Sequence, residues 1–228
     1  MGSVNLSVIV PVYNEESFIG KQLDRILTAL PKDLSVEVIV INDGSVDSTA
    51  DVLRNYHDRC FIIDLHENRG KGFAVKRGIL ESRGEVILII DADLEYSPKE
   101  AMDFVPLIFQ EKSSAIYGNR MHRKNPIGHR RYYLGNLLLS ALASLLYGRV
   151  IRDVETGCKI FRKIDINPEE LKEDGFGIEI EITAQLLKRG VAIKQPAISY
   201  SPRRFTEGKK INWRDGLSAV YLLIKLRF

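Results

Sequence analysis

Asp91 and Asp93, followed by Glu95, stand at the end of the run "VILIIDADLEYSP", residues 86–98, directly after five apolar residues. Two carboxylates two residues apart repel each other unless a cation or several donors lie between them. A hard divalent ion held by one or two carboxylates together with substrate phosphates meets that need. Part of the stretch has a simpler role, because Ser97, Pro98 and Glu100 form an S-x-x-E capping box with Pro at the first helical position. That leaves Asp91 and Asp93 without a structural task, and D-x-D alone is a common chance pattern.

Other candidates lie at neighbouring positions in the same repeat of elements. Asp43, in "INDGSVDST", starts a turn before a helix that Asp47 or Ser48 can cap; an acid at the tip of a second strand is also where a ribose or base edge is bound. "NRGKGFAVKRG" sets glycines on both sides of Lys71, a weak likeness to a phosphate loop without the Walker pattern. No G-x-G-x-x-G follows the first strand, where "PVYNEE" stands instead, which counts against a dehydrogenase. Asp153, in "DVETG", is a candidate general base for a hydroxyl acceptor. Two basic stretches, "RMHRKNPIGHRR" from Arg120 and "RRFTEGKKINWR" from Arg203, are either solvated loops or phosphate contacts.

The elements that must position these groups alternate. "LSVIVPV" (6–12), "VEVIVIND" (36–43), "FIIDLH" (61–66) and "EVILIID" (85–91) read as strands buried on both faces, with helices expected at about 15–30, 47–57 and 72–83 between them. A parallel α/β sheet follows, with ligands beyond the carboxyl ends of its strands. Every cluster from the first half sits at such an end. The second half is less regular: "AIYGN" (115–119), an apolar helix at 132–147, "DVETGCKIF", a helix near 178–189, a strand "AIKQPAISY" and a helix from about 213.

Length and composition set outer bounds. With 228 residues, 45% of them hydrophobic, and no linker or repeat, one domain over 1–228 is expected. A net charge of +3 from 33 basic and 30 acidic residues does not suit a nucleic-acid binder. Cys60 and Cys158 fit no metal spacing and no disulfide framework, so a reducing cytosolic compartment is expected, and the N-terminus lacks a signal sequence. No run reaches the roughly 18 apolar residues of a spanning helix. Segments 132–147 and 213–228 pair apolar residues with nearby Arg and Lys, as helices lying in a membrane interface do, or helices packed on a core.

"VIVPVYNEE", "VINDGSVDST", "NRGKGFAVKRG", "DADLE", "YGNR", "DVETGCKIF" and "PRRFTEGKKI" together resemble, in order and spacing, family 2 glycosyltransferases of the GT-A fold, with the last matching dolichyl-phosphate mannose synthase-like members. The resemblance spans about residues 5–215 and implies a nucleotide-sugar-binding half at about 1–118 and an acceptor-binding half at about 119–228. It implies a mainly parallel Rossmann-like sheet flanked by helices, a nucleoside-diphosphate-sugar donor and inversion at the anomeric carbon. It places Pro11, Tyr13, Glu15 and Asp43 on the base and ribose, with Lys71 beside them, and puts Mg2+ or Mn2+ on Asp91 and Asp93 with Ala92 lending backbone. Glu95 stands where relatives often carry Gln and is expected to join the metal site. Arg120, Arg203 and Lys209 match phosphate-contacting positions, and Arg131 is a further acceptor-phosphate candidate.

The expected reaction moves a hexose from GDP-mannose or UDP-glucose to a polyprenyl or dolichyl phosphate. A lipid phosphate is already anionic and needs no base. The alternatives are transfer to a hydroxyl with Asp153 as base, though no Q-x-x-R-W motif occurs, and a non-catalytic nucleotide-sugar-binding subunit. A peripheral protein on the cytoplasmic face of a membrane is expected. Because some family members continue into spanning helices, either surface binding, a membrane-anchoring partner subunit or a longer chain would complete the attachment.

Overall fold

A computed structural model describes residues 4–110, 114–122, 125–127, 130–203 and 213–228, and of 213–215 and 217 the backbone alone. Seven strands form one sheet in the order β3-β2-β1-β4-β6-β5-β7. β1 (Leu6–Val12), β2 (Val36–Asn42), β3 (Phe61–Asp64) and β4 (Val86–Ile90) are mutually parallel, and the whole of β1 and β4 is buried. That burial on both faces is what their unbroken apolar runs require. β5 (Ser114–Tyr117) and β7 (Ala192–Lys194) pair in parallel on the far side.

Between β4 and β5 lies β6 (Cys158–Arg162), antiparallel to both. Its sequence reads as a motif rather than a strand because Lys159 interrupts the apolar run, yet Lys159 is 0% exposed. The expected strand 192–200 contracts to three residues, since Pro196 has no N–H to offer a ladder; the chain continues as single bridges, Ala197 to Asn119 and Tyr200 to Tyr96.

Helices α1 (Ile19–Ala29) and α4 (Pro98–Gln110) cover one face of the sheet, and α3 (Lys71–Glu81) and α6 (Ile178–Lys188) the other. α2 (Thr49–Leu53) is shorter than the expected 47–57 and runs into a 3-10 turn at Arg54–Tyr56. α1 begins later than expected because residues 14–16 are tied to the β2 loop: the Asn14 amide donates to Ser45 Oγ (2.9 Å) and that of Glu15 to Thr49 Oγ1 (2.8 Å).

The capping box before α4 is half formed. The Glu100 amide approaches Ser97 Oγ at 3.4 Å, but the Glu100 carboxylate accepts the Ser199 amide (2.8 Å) instead of closing the box.

α5 (Arg130–Tyr147) and α7 (Trp213–Arg227) pack on α6 through a separate apolar cluster that includes Leu139, Ala143, Ile180, Leu222 and Leu223. Neither is wholly core. Leu134, Leu137, Leu138 and Leu145 of α5, and Val220, Tyr221 and Ile224 of α7, are exposed. Among the described residues no helix is long and apolar enough to cross a membrane.

Candidate active site

The carboxyl ends of β1, β2 and β4 open into a cavity of about 440 Å3. It brings together Pro11, Tyr13 and Glu15 from β1, Asp43 from β2, and Asp91, Ala92, Asp93 and Glu95 from β4, and adds Lys71, Arg120 and Arg203. Strand ends place them because hydrogen bonding fixes the strands while the loops beyond them are free to vary.

Each acid is held differently. The Asp91 backbone carbonyl accepts Gln22 Nε2 (2.8 Å), and its carboxylate lies against Gly157, where any Cβ would overlap it. Asp91 Oδ1 pairs with Lys71 Nζ at 2.6 Å. Asp93 Oδ1 accepts the Glu95 amide (3.1 Å). Leu94 between them has φ 63°, in the left-handed region, which costs on the order of 1 kcal/mol for such a side chain. Arg25 braces this turn by donating to the carbonyls of Leu94 (3.4 Å) and Tyr96 (3.2 Å). Strain kept at a ligand-facing turn is a common mark of function.

Asp43 is 2% exposed, and its two oxygens accept the amides of Arg69 (2.9 Å) and Gly70 (2.7 Å). Besides lining the cavity, it therefore fixes the loop that carries Lys71. Gly70 has φ 99° and no room for a Cβ against the Asp174 carbonyl, so this turn requires glycine.

Glu95 is occupied on both oxygens, accepting Tyr200 Oη (2.8 Å) and the Arg203 amide (2.8 Å). Arg203 extends across the mouth of the site: Nε donates to the Asp93 carbonyl (3.0 Å), and a terminal nitrogen pairs with Glu15 Oε2 (2.8 Å) and stands 3.8 Å from Asp93 Oδ2. Among the described residues no three His, Cys, Asp or Glu side chains converge as a metal cage. The donor set thus fits a cation held by Asp91 and Asp93 and completed by phosphate oxygens. It does not fit Glu95 as a third ligand, because that carboxylate ties down residues 200–203.

Asp153 is not placed as a base. It is fully buried, is absent from the cavity lining, and accepts the Arg120 amide (2.8 Å), Arg120 Nε (2.9 Å), Arg120 Nη2 (2.7 Å) and Asn136 Nδ2 (2.8 Å). Burial alone would raise its pKa, but Arg120 and these hydrogen bonds outweigh it and hold it low. Its structural effect is to fix Arg120 beside the cavity, where the guanidinium also lies over the Tyr200 ring at 5.5 Å. Arg131 is exposed at the start of α5, away from the lining, and Lys209 lies outside the described residues, as do Arg123, Lys124, Arg204 and Lys210.

Several lining residues were not anticipated: Asn68, Glu155, Phe176, Glu179 and Tyr200. Glu179 is buried on α6, where burial opposes its charge but Lys159 and Lys71 prevail and lower its pKa to about 2. Glu155 is the opposite case: burial, reinforced by Glu179, raises its pKa to about 7. An acid such as Glu179 inside a helix whose neighbours are all buried is the available sequence signal, since such acids are rarely buried without a partner.

The family model described as "Glycosyl transferase family 2" matches residues 7–167. The chain is 30% identical to a protein of Dictyostelium discoideum named dolichyl-phosphate beta-glucosyltransferase, over 99% of this chain and 75% of that one. It is 31% identical to the Homo sapiens protein of the same name, over 98% and 75%. Among solved structures, glucosyl-3-phosphoglycerate synthase from Mycobacterium tuberculosis, in complex with Mn2+, UDP-glucose and phosphoglyceric acid, superposes with a TM-score of 0.71 at 20% identity, over 98% of this chain and 80% of that one.

Proposed function

The chain belongs to glycosyl transferase family 2, a glycosyltransferase of the GT-A fold, and from that premise we propose that it transfers glucose from UDP-glucose to a polyprenyl phosphate of the dolichyl type, giving a β-linked product. The observation that carries the reading is the meeting of both signs of charge in one cavity. Asp91 and Asp93 stand at the end of β4, and the guanidinium groups of Arg120 and Arg203 line the same cavity, that of Arg203 directly beside Asp93.

Departure of the nucleoside diphosphate builds negative charge on phosphate while the sugar becomes cationic. A divalent cation, Mg2+ or Mn2+, on Asp91 and Asp93 would neutralise the leaving diphosphate. Pro11, Tyr13, Glu15, Asp43 and Lys71 line the same cavity; on this reading the first four take the base and ribose and Lys71 binds the nucleotide sugar beside them. Arg120, made rigid by Asp153, and Arg203, held by Glu15 and Glu95, offer planar donors to an acceptor phosphate, which a guanidinium grips bidentately. An anionic phosphate attacks without a base. This agrees with the commitment of Asp153 to Arg120.

UDP-glucose is favoured over GDP-mannose by the names of the relatives, which also favour the lipid acceptor. The exposed leucines of α5 and the apolar face of α7 support access to that acceptor from the cytoplasmic surface of a membrane, as a peripheral protein. Glu155 favours a second reading. Its carboxyl lines the cavity with a pKa near 7 and is suited to deprotonate a hydroxyl acceptor.

The test is transfer of labelled sugar from UDP-glucose or GDP-mannose to polyprenyl phosphate, with and without EDTA. EDTA-sensitive glucosyl transfer is the expected result. Transfer of mannose alone would change the donor, and transfer only to hydroxyl acceptors would establish the second reading.

A further inference from the structure

From the cavity inward runs a chain of four alternating charges, Asp91, Lys71, Glu179 and Lys159, of which the proposed reaction gives no task to Glu179 or Lys159. Asp91 Oδ1 contacts Lys71 Nζ at 2.6 Å, and the same nitrogen contacts Glu179 Oε1 at 2.8 Å. The other Glu179 oxygen pairs with Lys159, whose ammonium also donates to the carbonyls of Val154 (3.1 Å) and Thr156 (2.7 Å). Lys159 thus has three acceptors for three N–H groups and is immobile; Glu179, bound at its far oxygen, inherits that position. Lys71 differs from both. It lines the cavity, and its two carboxylate partners leave a third N–H for a ligand there.

A divalent cation approaching Asp91 meets an ammonium already on that carboxylate, and like charges at such distances oppose each other. We propose that Lys71 is an internal counter-ion that yields Asp91 to the cation while keeping Glu179, and that Glu179 is the positioning residue which makes the exchange feasible. Without Glu179, Lys71 would have Asp91 as its one carboxylate partner and would compete with the cation throughout. With it, Lys71 stays charged and partnered as Asp91 is released, and its remaining donors face the diphosphate. This rests on the nucleotide-sugar reading of the cavity and adds how cation and donor binding are coupled.

The test measures Mn2+ binding to the intact chain without nucleotide, by the electron paramagnetic resonance signal of free Mn2+, and UDP binding at saturating Mn2+ by calorimetry. Lys71→Met is expected to tighten Mn2+ about tenfold while weakening UDP about tenfold, and Glu179→Gln to weaken Mn2+ about tenfold. In the Lys71→Met background, Glu179→Gln is expected to have no further effect on Mn2+, because it acts through Lys71. The sign guards against misfolding, since a damaged site would not bind the ion more tightly; Lys71→Gln, which keeps a polar group, provides a second variant with the same expected direction. Weaker or unchanged Mn2+ binding in both Lys71 variants would overturn the counter-ion role. An equal effect of Glu179→Gln with and without Lys71 would overturn the positioning role. If the unaltered chain bound neither Mn2+ nor UDP, the nucleotide-sugar reading would fall and this inference with it.

Discussion

The two halves of the sheet build the site by different means. In the first, β1, β2 and β4 end at the cavity and deliver Tyr13, Asp43, Asp91 and Asp93 from backbone that pairs on both sides. In the second, side chains hold other side chains: Asp153 holds Arg120, Lys159 holds Glu179, and Tyr200 helps hold Glu95. α5 shows the contrast most clearly. Its buried side sets Asn136 and Ser140 beside Leu139 and Ala143, with Asn136 donating to Asp153, Ser140 Oγ accepting the Val154 amide (3.0 Å) and Ser144 Oγ accepting the Ile151 amide (2.8 Å). Leu134, Leu137, Leu138 and Leu145 face out. A site built by strand ends loses chemistry when a residue changes, whereas one built by buried polar contacts loses stability, because an unmet buried donor is costly.

The largest effect should come from the first half. Asp93→Asn is expected to lower kcat for glucosyl transfer by about 10^2 to 10^3, the range seen when one preorganised electrostatic group is removed. Thermal unfolding should hardly move, because β4 ends before Asp93. A loss of Tm as large as that from second-half variants would break the division.

A smaller effect on activity and a larger one on stability should follow Ser140→Ala. The Val154 amide would be left buried without its acceptor, at about 1–3 kcal/mol. For a chain of this length that corresponds to a fall in Tm of very roughly 5 °C by differential scanning calorimetry. UDP affinity should be unchanged, since none of the first-half lining residues depends on Ser140. A matching loss of UDP affinity would show that the halves are not separable.

The same contrast explains what the sequence disclosed. Apolar runs ending in polar clusters announce parallel strands, so the places of Asp43, Asp91 and Asp93 at strand ends were legible from spacing, while only the family resemblance chose between turn residue and ligand. In the second half, one pattern carries two demands. Lys159 disguises β6 because a lysine in the middle of a strand is read as exposed, and its partner Glu179 lies 20 residues on. α5 reads as apolar all round, and only the fold tells which side its Asn and Ser residues face. Asp153 was legible as a chemically capable acid but not as one already bound to Arg120, because the contact joins residues 33 apart. For Glu95, the sequence shows a third acid beside a metal motif, while the chain folds Tyr200 and Arg203 onto it from more than a hundred residues away.

The smallest and most discriminating effect concerns Glu155, the second-half acid in which burial and Glu179 outweigh the nearby cations Lys159, Arg120 and Lys71. Its pKa stands near 7 against an ordinary 4.5, so the folded chain keeps a proton that the unfolded chain loses. The stability this confers is complete below pH 4.5 and is lost as pH rises through 7. Glu179 runs the other way: with a pKa near 2 it adds stability above pH 4.5 that disappears as pH falls through 2. Glu155→Gln should therefore match the unaltered chain in Tm at the lower end of that window, near pH 4.5, and exceed it increasingly up to pH 8, which calorimetry at stepped pH would measure. A difference that stays constant with pH would mean that Glu155 does not titrate in the folded chain. The same variant separates the acceptors. An anionic phosphate needs no base, so kcat at pH 8 should stay within about tenfold, whereas loss of a general base costs about 10^2 to 10^4.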